Sequence, residues 1–256
     1  MSRRLSAGLA LFVLASACGG GGSSTTTPAA LTVVYYDGAG ETAAVGQALS
    51  ASPGAKVTVG STPSPNVAVT FAVVSGGGSI TGRTVTSGAD GIARPGAWTL
   101  GTTAGANTMT ATVSGAVGSP VTFTATGRPG PASVVTKVSG DGITSVAGVP
   151  VANKPTVKVA DSFGNGITGL TVVFAPASGS GTVTGGATTT GTDGTAQVGA
   201  WIISPTIGPN TLVATASGTG LAGNPTTFTI TGVASTVASI TKSPGTISRP
   251  VLEPRR

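Results

Sequence analysis

The chain of 256 residues contains 42 glycines, one cysteine, no histidine and only 8% charged residues, so few side chains can act as acids or bases near neutral pH. An enzyme is therefore not expected, and we predict no catalytic, cofactor-binding or metal-binding residue. The net charge of +6 is concentrated towards the two ends of the chain, without a basic stripe and interleaved aromatic residues, so nucleic acid is not an expected partner.

The amino-terminal residues 1–17 have the layout of a lipoprotein signal peptide. Arg3 and Arg4 precede a short apolar run that ends in small residues, and the run is too short for a comfortable transmembrane helix. The segment Leu14-Ala15-Ser16-Ala17-Cys18 resembles a bacterial lipobox, in which the cysteine receives diacylglycerol and becomes the first mature residue. We expect Cys18 to be the site of lipidation and the protein to be held to a membrane through it. An ordinary signal peptide followed by an incidental thiol is the alternative.

Residues 18–29 form a tether after the leader. Four glycines are followed by serines, threonines and Pro28, a composition that behaves as flexible coil with a reach of about 15 to 20 Å. The tether would hold the next domain off the membrane surface. Gly19 rather than aspartate follows the cysteine, which in similar lipoproteins usually permits export to the outer membrane, and we expect a location at the cell surface.

The rest of the chain is a duplication. Four residues of the first half return 103 positions later, a distance typical of a repeated domain rather than of a solenoid unit. The pairs are Phe71 and Phe174, Asp90 and Asp193, Trp98 and Trp201, and Asn107 and Asn210. We place the first domain at residues 30–128 and the second at 131–233, joined by a short segment around Pro129.

Both copies have the pattern of β-strands. Short runs such as residues 67–73, 108–113 and 121–125 alternate small apolar residues with threonine, and they are separated by glycine-rich turns. No part of the mature chain has a convincing helical period. The sequence therefore predicts an all-β protein with two tandem immunoglobulin-like β-sandwich domains.

The second copy resembles a bacterial immunoglobulin-like domain of group 1, the invasin/intimin type. The resemblance rests on strand and turn motifs, among them residues 157–161, Gly164-Asn165-Gly166 and Thr192-Asp193-Gly194. The first copy is less similar, because residues 60–66 replace the Asp and Gly-Asn-Gly turn. The resemblance implies a surface protein whose domains serve as an adhesive or structural spacer, with surface glycans or other cell-surface or matrix proteins as partners.

The two tryptophans admit two interpretations. Trp98 and Trp201 could fill the cores of their own sandwiches, which we favour because each copy has few other large side chains. They could instead be exposed platforms on which a sugar stacks. That second interpretation, with loop residues added, gives the alternative function of a carbohydrate-binding accessory module.

Three further positions are candidates for a role beyond folding. Asp90 and Asp193, each followed by glycine, could contribute to calcium sites, but a turn role fits better because no second or third carboxylate lies nearby in the sequence. Phe163 lies at a hairpin tip without a counterpart in the first copy, which makes it a candidate surface contact.

After the second domain, residues 234–256 resemble the opening of a further repeat. Val237-Ala238-Ser239-Ile240-Thr241-Lys242 is similar to residues 132–137, and prolines follow. The segment is either the start of a truncated third repeat or an irregular tail.

Overall fold

The computed structural model describes residues 29–236. The leader, Cys18, most of the tether and residues 237–256 lie outside the described residues. Within residues 29–236 there is no helix with the length and hydropathy of a membrane-spanning segment.

The first domain consists of strands packed in two layers. The strands are β1 (Leu31–Asp37), β2 (Glu41–Ala44), β3 (Gly54–Val59), β4 (Thr62–Pro63), β5 (Ala68–Ser75), β6 (Ser79–Ile80), β7 (Thr84–Thr86), β8 (Ile92–Ala93), β9 (Trp98–Thr99), β10 (Gly105–Thr112) and β11 (Val121–Arg128). One sheet contains β1, β3, β4 and β8, and the other has the strand order β2-β11-β10-β5-β7, while β6 pairs with β9.

The second domain repeats this arrangement. One sheet has the order β12-β14-β18, the other the order β13-β21-β20-β15-β17, and β16 pairs with β19. The strands are β12 (Val134–Ser139), β13 (Ile143–Val146), β14 (Thr156–Ala160), β15 (Thr171–Pro176), β16 (Thr182–Thr184), β17 (Ala187–Thr189), β18 (Thr195–Gln197), β19 (Ala200–Ile202), β20 (Gly208–Ala216) and β21 (Thr226–Val233). The predicted fold of two immunoglobulin-like sandwiches is confirmed.

Alternation along the strands explains why they form sandwiches. In β11, Val121, Phe123 and Ala125 point into the core while the threonines between them face solvent. The edge strand β2 lies parallel to β11, with Glu41 opposite Ala125 and Ala44 opposite Arg128. In the second domain β13 pairs with β21 in the same way.

Each domain has its own core. In the first, Phe71, Trp98 and Phe123 are buried among small aliphatic residues, and in the second the corresponding cluster is centred on Trp201 and Phe228. The two clusters share no residue. Each sandwich is therefore packed independently, and the relation between the domains depends on the contacts at their junction.

Candidate functional site at the domain junction

A loop of the second domain, residues 161–166, reaches the first domain. We call it the docking loop. It follows β14 and folds on itself: the Asp161 N–H donates to the Asn165 carbonyl at 2.9 Å, and Ala160 bridges to Gly166. The Asp161 carboxylate accepts hydrogen bonds from the N–H groups of Phe163 and Asn165, each at 2.9 Å. Aspartate at the start of a tight turn commonly makes such bonds, so the sequence itself shapes this loop.

The same carboxylate also holds the linker between the domains. Asp161 is only 1% exposed, and its Oδ2 accepts from the Gly130 N–H and from Asn165 Nδ2, both at 2.9 Å. Burial raises the pKa of Asp161, but the hydrogen bonds from the Asn165 side chain and from three backbone N–H groups outweigh that effect and leave the pKa below its ordinary value. The ionised carboxylate is thus the form that the junction favours.

The side chain of Asn165 makes hydrogen bonds to the first domain. Its Oδ1 accepts from the Ala104 N–H at 2.8 Å, and its Nδ2 donates to the Thr102 carbonyl at 2.8 Å. The orientation of the amide follows from this network, because only the oxygen can accept from a backbone N–H. We call this arrangement the carboxamide clamp: Asn165 bound to the peptide groups of Thr102 and Ala104.

The clamp needs a first-domain loop of fixed shape. That acceptor loop, residues 101–105, is held by the buried side chain of Asn107, which accepts from the Gly101 N–H at 3.2 Å and donates to the Gly105 carbonyl at 3.2 Å. Because a buried amide with both ends bonded has little freedom, the peptide groups of Thr102 and Ala104 are presented in one orientation.

Phe163, the candidate contact residue, lies at this junction. Its ring sits beside Gly46 of the first domain, so closely that a Cβ added to Gly46 would be 3.3 Å from Phe163 Cζ. The residue as a whole nevertheless remains 53% exposed. The structure therefore places Phe163 against the preceding domain, with about half of the residue still open to solvent.

An open groove of about 570 Å³ runs beside the docking loop and is lined by both domains. Ala104, Pro129, Lys158 and Asp193 are among its lining residues. Lys158 Nζ donates to the Gly164 carbonyl at 2.9 Å, so this cation supports the docking loop. The described part of the chain contains no group of three or more carboxylate, histidine or cysteine side chains that could hold a metal ion.

The remaining candidate residues have structural roles. Asp90 and Asp193 each bond the N–H two residues ahead, at 2.9 Å, as a turn residue does, and the turn interpretation is confirmed. Trp98 and Trp201 are both 0% exposed. The core interpretation of the tryptophans is confirmed, and the exposed stacking platform is wrong, because both rings are the main apolar filling of thin, glycine-rich sandwiches.

Sequence reasoning missed the roles of Asp161 and Asn165. Both belong to a motif whose sequence predicts only a turn. A signal was present, since the motif occurs in the copy that follows another domain and is absent from the copy that follows the tether. A loop that contacts a preceding domain is expected in the second copy, which follows another domain, and not in the first.

Neither a protein-family model nor a curated protein matches the chain. Among solved structures, the chain is similar to Yersinia pseudotuberculosis InvD, with 20% identity, a TM-score of 0.47 and coverage of 83% of this chain and 60% of that one. It is also similar to the Escherichia coli adhesin FdeC, with 14% identity, a TM-score of 0.44 and coverage of 79% and 64%. The D0-D1 domains of intimin are also similar, with 18% identity, a TM-score of 0.32 and coverage of 78% of this chain and 94% of that one. The chain thus spans less than two thirds of the InvD and FdeC structures, and proteins of the invasin/intimin type are among the structures it is similar to.

Proposed function

We propose that the protein is an exported, lipid-anchored cell-surface protein whose two immunoglobulin-like domains serve as a stiff adhesive or structural spacer. The observation that carries the proposal is the carboxamide clamp. A spacer must keep a defined direction between its ends, and two independent sandwiches on a short linker would not do so without contacts across the junction.

Three contacts at the junction support the spacer role. Asn165 makes two hydrogen bonds to the acceptor loop, the Asp161 carboxylate fixes the linker at Gly130, and the Phe163 ring covers Gly46. The contacts are mostly polar hydrogen bonds, which restrict the angle between the domains. The alternating threonines on the outer faces keep the sandwiches solvated.

The anchoring part of the proposal is supported by the leader sequence. A lipobox-like segment, one cysteine and a segment rich in glycine, serine and threonine follow one another, and a sole cysteine cannot form a disulfide within one chain. Several acyl chains on one residue would hold the protein durably to a bilayer, since each buried methylene contributes about 0.8 kcal/mol. Surface glycans or other cell-surface or matrix proteins are the partners that an adhesive spacer would contact.

The stiffness of the junction is tested by Asn165→Ala. Loss of the two hydrogen bonds should expose the Ala104 N–H and speed its hydrogen exchange roughly tenfold or more, because each such bond contributes about 1 kcal/mol. Core amides of both domains should exchange as before. Asn153→Ala makes the same chemical change at an exposed position of the second domain and serves as the control. Unchanged exchange at Ala104 in the Asn165→Ala protein would remove the basis of the spacer.

Anchoring is tested separately by labelling cells with palmitate. The unaltered protein should incorporate label and fractionate with membranes, whereas Cys18→Ser should do neither. A Cys18→Ser protein that stays in the membrane fraction to the same extent would rule out the lipid anchor and leave the spacer role untouched.

A further inference from the structure

The far end of the second domain repeats the acceptor loop. Residues 204–208, the tip loop, have the same length as residues 101–105, and the buried Asn210 holds them as Asn107 holds the acceptor loop. The Ser204 N–H donates to Asn210 Oδ1 at 2.8 Å, and Asn210 Nδ2 donates to the Gly208 carbonyl at 3.1 Å. Gly208 has a φ of 134°, against 131° for Gly105. The two loops therefore present their peptide groups in the same way.

In the tip loop these peptide groups have no partner among residues 29–236. The Pro205 carbonyl is at the position equivalent to the Thr102 carbonyl, and the Ile207 N–H is equivalent to the Ala104 N–H. Neither the Pro205 carbonyl nor the Ile207 N–H makes a hydrogen bond within the described chain. An acceptor and a donor two residues apart match a primary carboxamide, whose NH2 group donates and whose oxygen accepts, both on the same carbon. A carboxylate lacks the donor, and an ammonium group lacks the acceptor.

The side chains around the tip loop are more apolar than those around the acceptor loop. Val149, Ile207 and Val233 occupy the positions that Gln47, Ala104 and Arg128 have in the first domain. Their exposed fractions are 40%, 64% and 37%. Three exposed aliphatic residues beside unpaired backbone groups favour a partner that buries apolar surface and makes hydrogen bonds at the same time.

One contact differs between the acceptor loop and the tip loop. Beside Gly46 the space in the Cβ direction is taken by the Phe163 ring, whereas beside Gly148 it is taken by Pro205, 3.5 Å from where a Cβ would lie. An aromatic ring in the position of Phe163 would meet Pro205. The tip therefore suits a turn that carries an aliphatic side chain next to its carboxamide.

We propose that the tip loop, with Val149, Ile207 and Val233, is a docking surface for an asparagine- or glutamine-bearing turn of a further immunoglobulin-like domain. The domain junction gives the precedent, since there the carboxamide of such a turn binds the equivalent peptide groups. The sequence after the second domain agrees, because residues 237–242 are similar to residues 132–137, which open the second domain after its own junction. The inference depends on the junction geometry and not on the lipid anchor.

The test extends the chain by one domain. A copy of residues 129–233 that carries Phe163→Val, so that no aromatic ring meets Pro205, is joined after Val233. Because the core of the second domain contains only its own residues, the copy is expected to fold. Docking should slow the hydrogen exchange of the Ile207 N–H roughly tenfold relative to the original chain, as one to two hydrogen bonds imply. Asn165→Ala in the appended copy alone should abolish the slowing, and Asn153→Ala in that copy should leave it unchanged. Val149→Asp in the original second domain should reduce the slowing of exchange at Ile207.

Other outcomes would overturn the proposal. If the appended copy is folded but Ile207 exchanges as fast as in the original chain, the tip is not an acceptor. Slow exchange at Ile207 in the original full chain would show that the tip loop is already covered. If the slow exchange does not depend on protein concentration, the chain's own terminal residues cover the loop. If exchange becomes slower as the concentration rises, a second copy of the chain covers it. Exchange at Ala104, read in the same spectra, reports on the existing junction and separates failure at the tip from failure of the proposed function.

Discussion

The two buried tryptophans form a matched pair that isolates one hydrogen bond. Trp201 Nε1 donates to the Ser180 carbonyl at 2.8 Å, whereas Trp98 Nε1 has no acceptor among the described residues. Replacing either ring by phenylalanine removes the same atoms from a fully buried site, so the packing loss should be similar in both domains. The difference between the two variants therefore measures the polar contribution.

The magnitude follows from the two environments. Trp201→Phe leaves the carbonyl of the buried Ser180 without its donor, a cost of about 1–3 kcal/mol, whereas Trp98→Phe removes an N–H that is already unpaired. We expect Trp201→Phe to destabilise its own domain by about 2 kcal/mol more than Trp98→Phe destabilises the other. In the unfolding equilibrium this is a roughly thirtyfold difference.

Hydrogen exchange is the appropriate assay, because each variant loses the tryptophan that would report on its domain. Core amides at Ala111 and Ala214, which lie at equivalent places in β10 and β20, give the unfolding free energy of each domain. Phe71→Leu and Phe174→Leu change equivalent rings without polar atoms and should cost nearly the same. Equal costs for the two tryptophan variants would refute the reasoning.

Three further predictions concern single side chains. Gly77 has a φ of 76°, in the left-handed region that other residues rarely adopt, so Gly77→Ser should lower the free energy of unfolding by about 1 kcal/mol in urea titrations. An unchanged or raised stability would show that the loop can adopt the conformation of its counterpart Ser180, which has no positive φ. Because the folded-state pKa of Asp161 is below its ordinary value of 3.8, its contribution is complete above that pH and is lost as the pH falls through the lower folded value. Energy transfer between labelled domains should detect the junction loosening in that acid range, and Asp161→Asn should remove this pH dependence whereas Asp141→Asn should preserve it. Arg94→Gln breaks the exposed ion pair with Asp37 and should lower stability by no more than about 1 kcal/mol, and a larger loss in thermal unfolding would contradict the exposure of the pair.

The strands could be predicted from the sequence because their causes are local. Alternation of threonine with mostly apolar residues in β10 and β11 gives one buried and one more exposed face whatever the neighbouring strands are. The same holds for Asp90 and Asp193, whose carboxylates bond an N–H only two residues away. Burial of the tryptophans followed from the scarcity of other large side chains.

The junction could not be predicted, because its partners are distant in the chain. Asn165 bonds Thr102 and Ala104, more than sixty residues away, and this pairing depends on how two separately packed sandwiches meet. An Asn-Gly turn is also common in loops that touch nothing. The unpaired Nε1 of Trp98 could not be predicted either, because the equivalent bond of Trp201 is made to the carbonyl of Ser180, 21 residues away.

The parallel pairing of β2 with β11 determines how the first domain would carry a pull along its length. Tension entering near the amino terminus and leaving through β11 would draw these neighbouring strands past each other, so their four residue pairs would be loaded together instead of opening one after another. Survival under such tension is set by the rate of unfolding and not by the equilibrium free energy. β13 and β21 have the same parallel pairing in the second domain, so both domains would resist shear in the same manner.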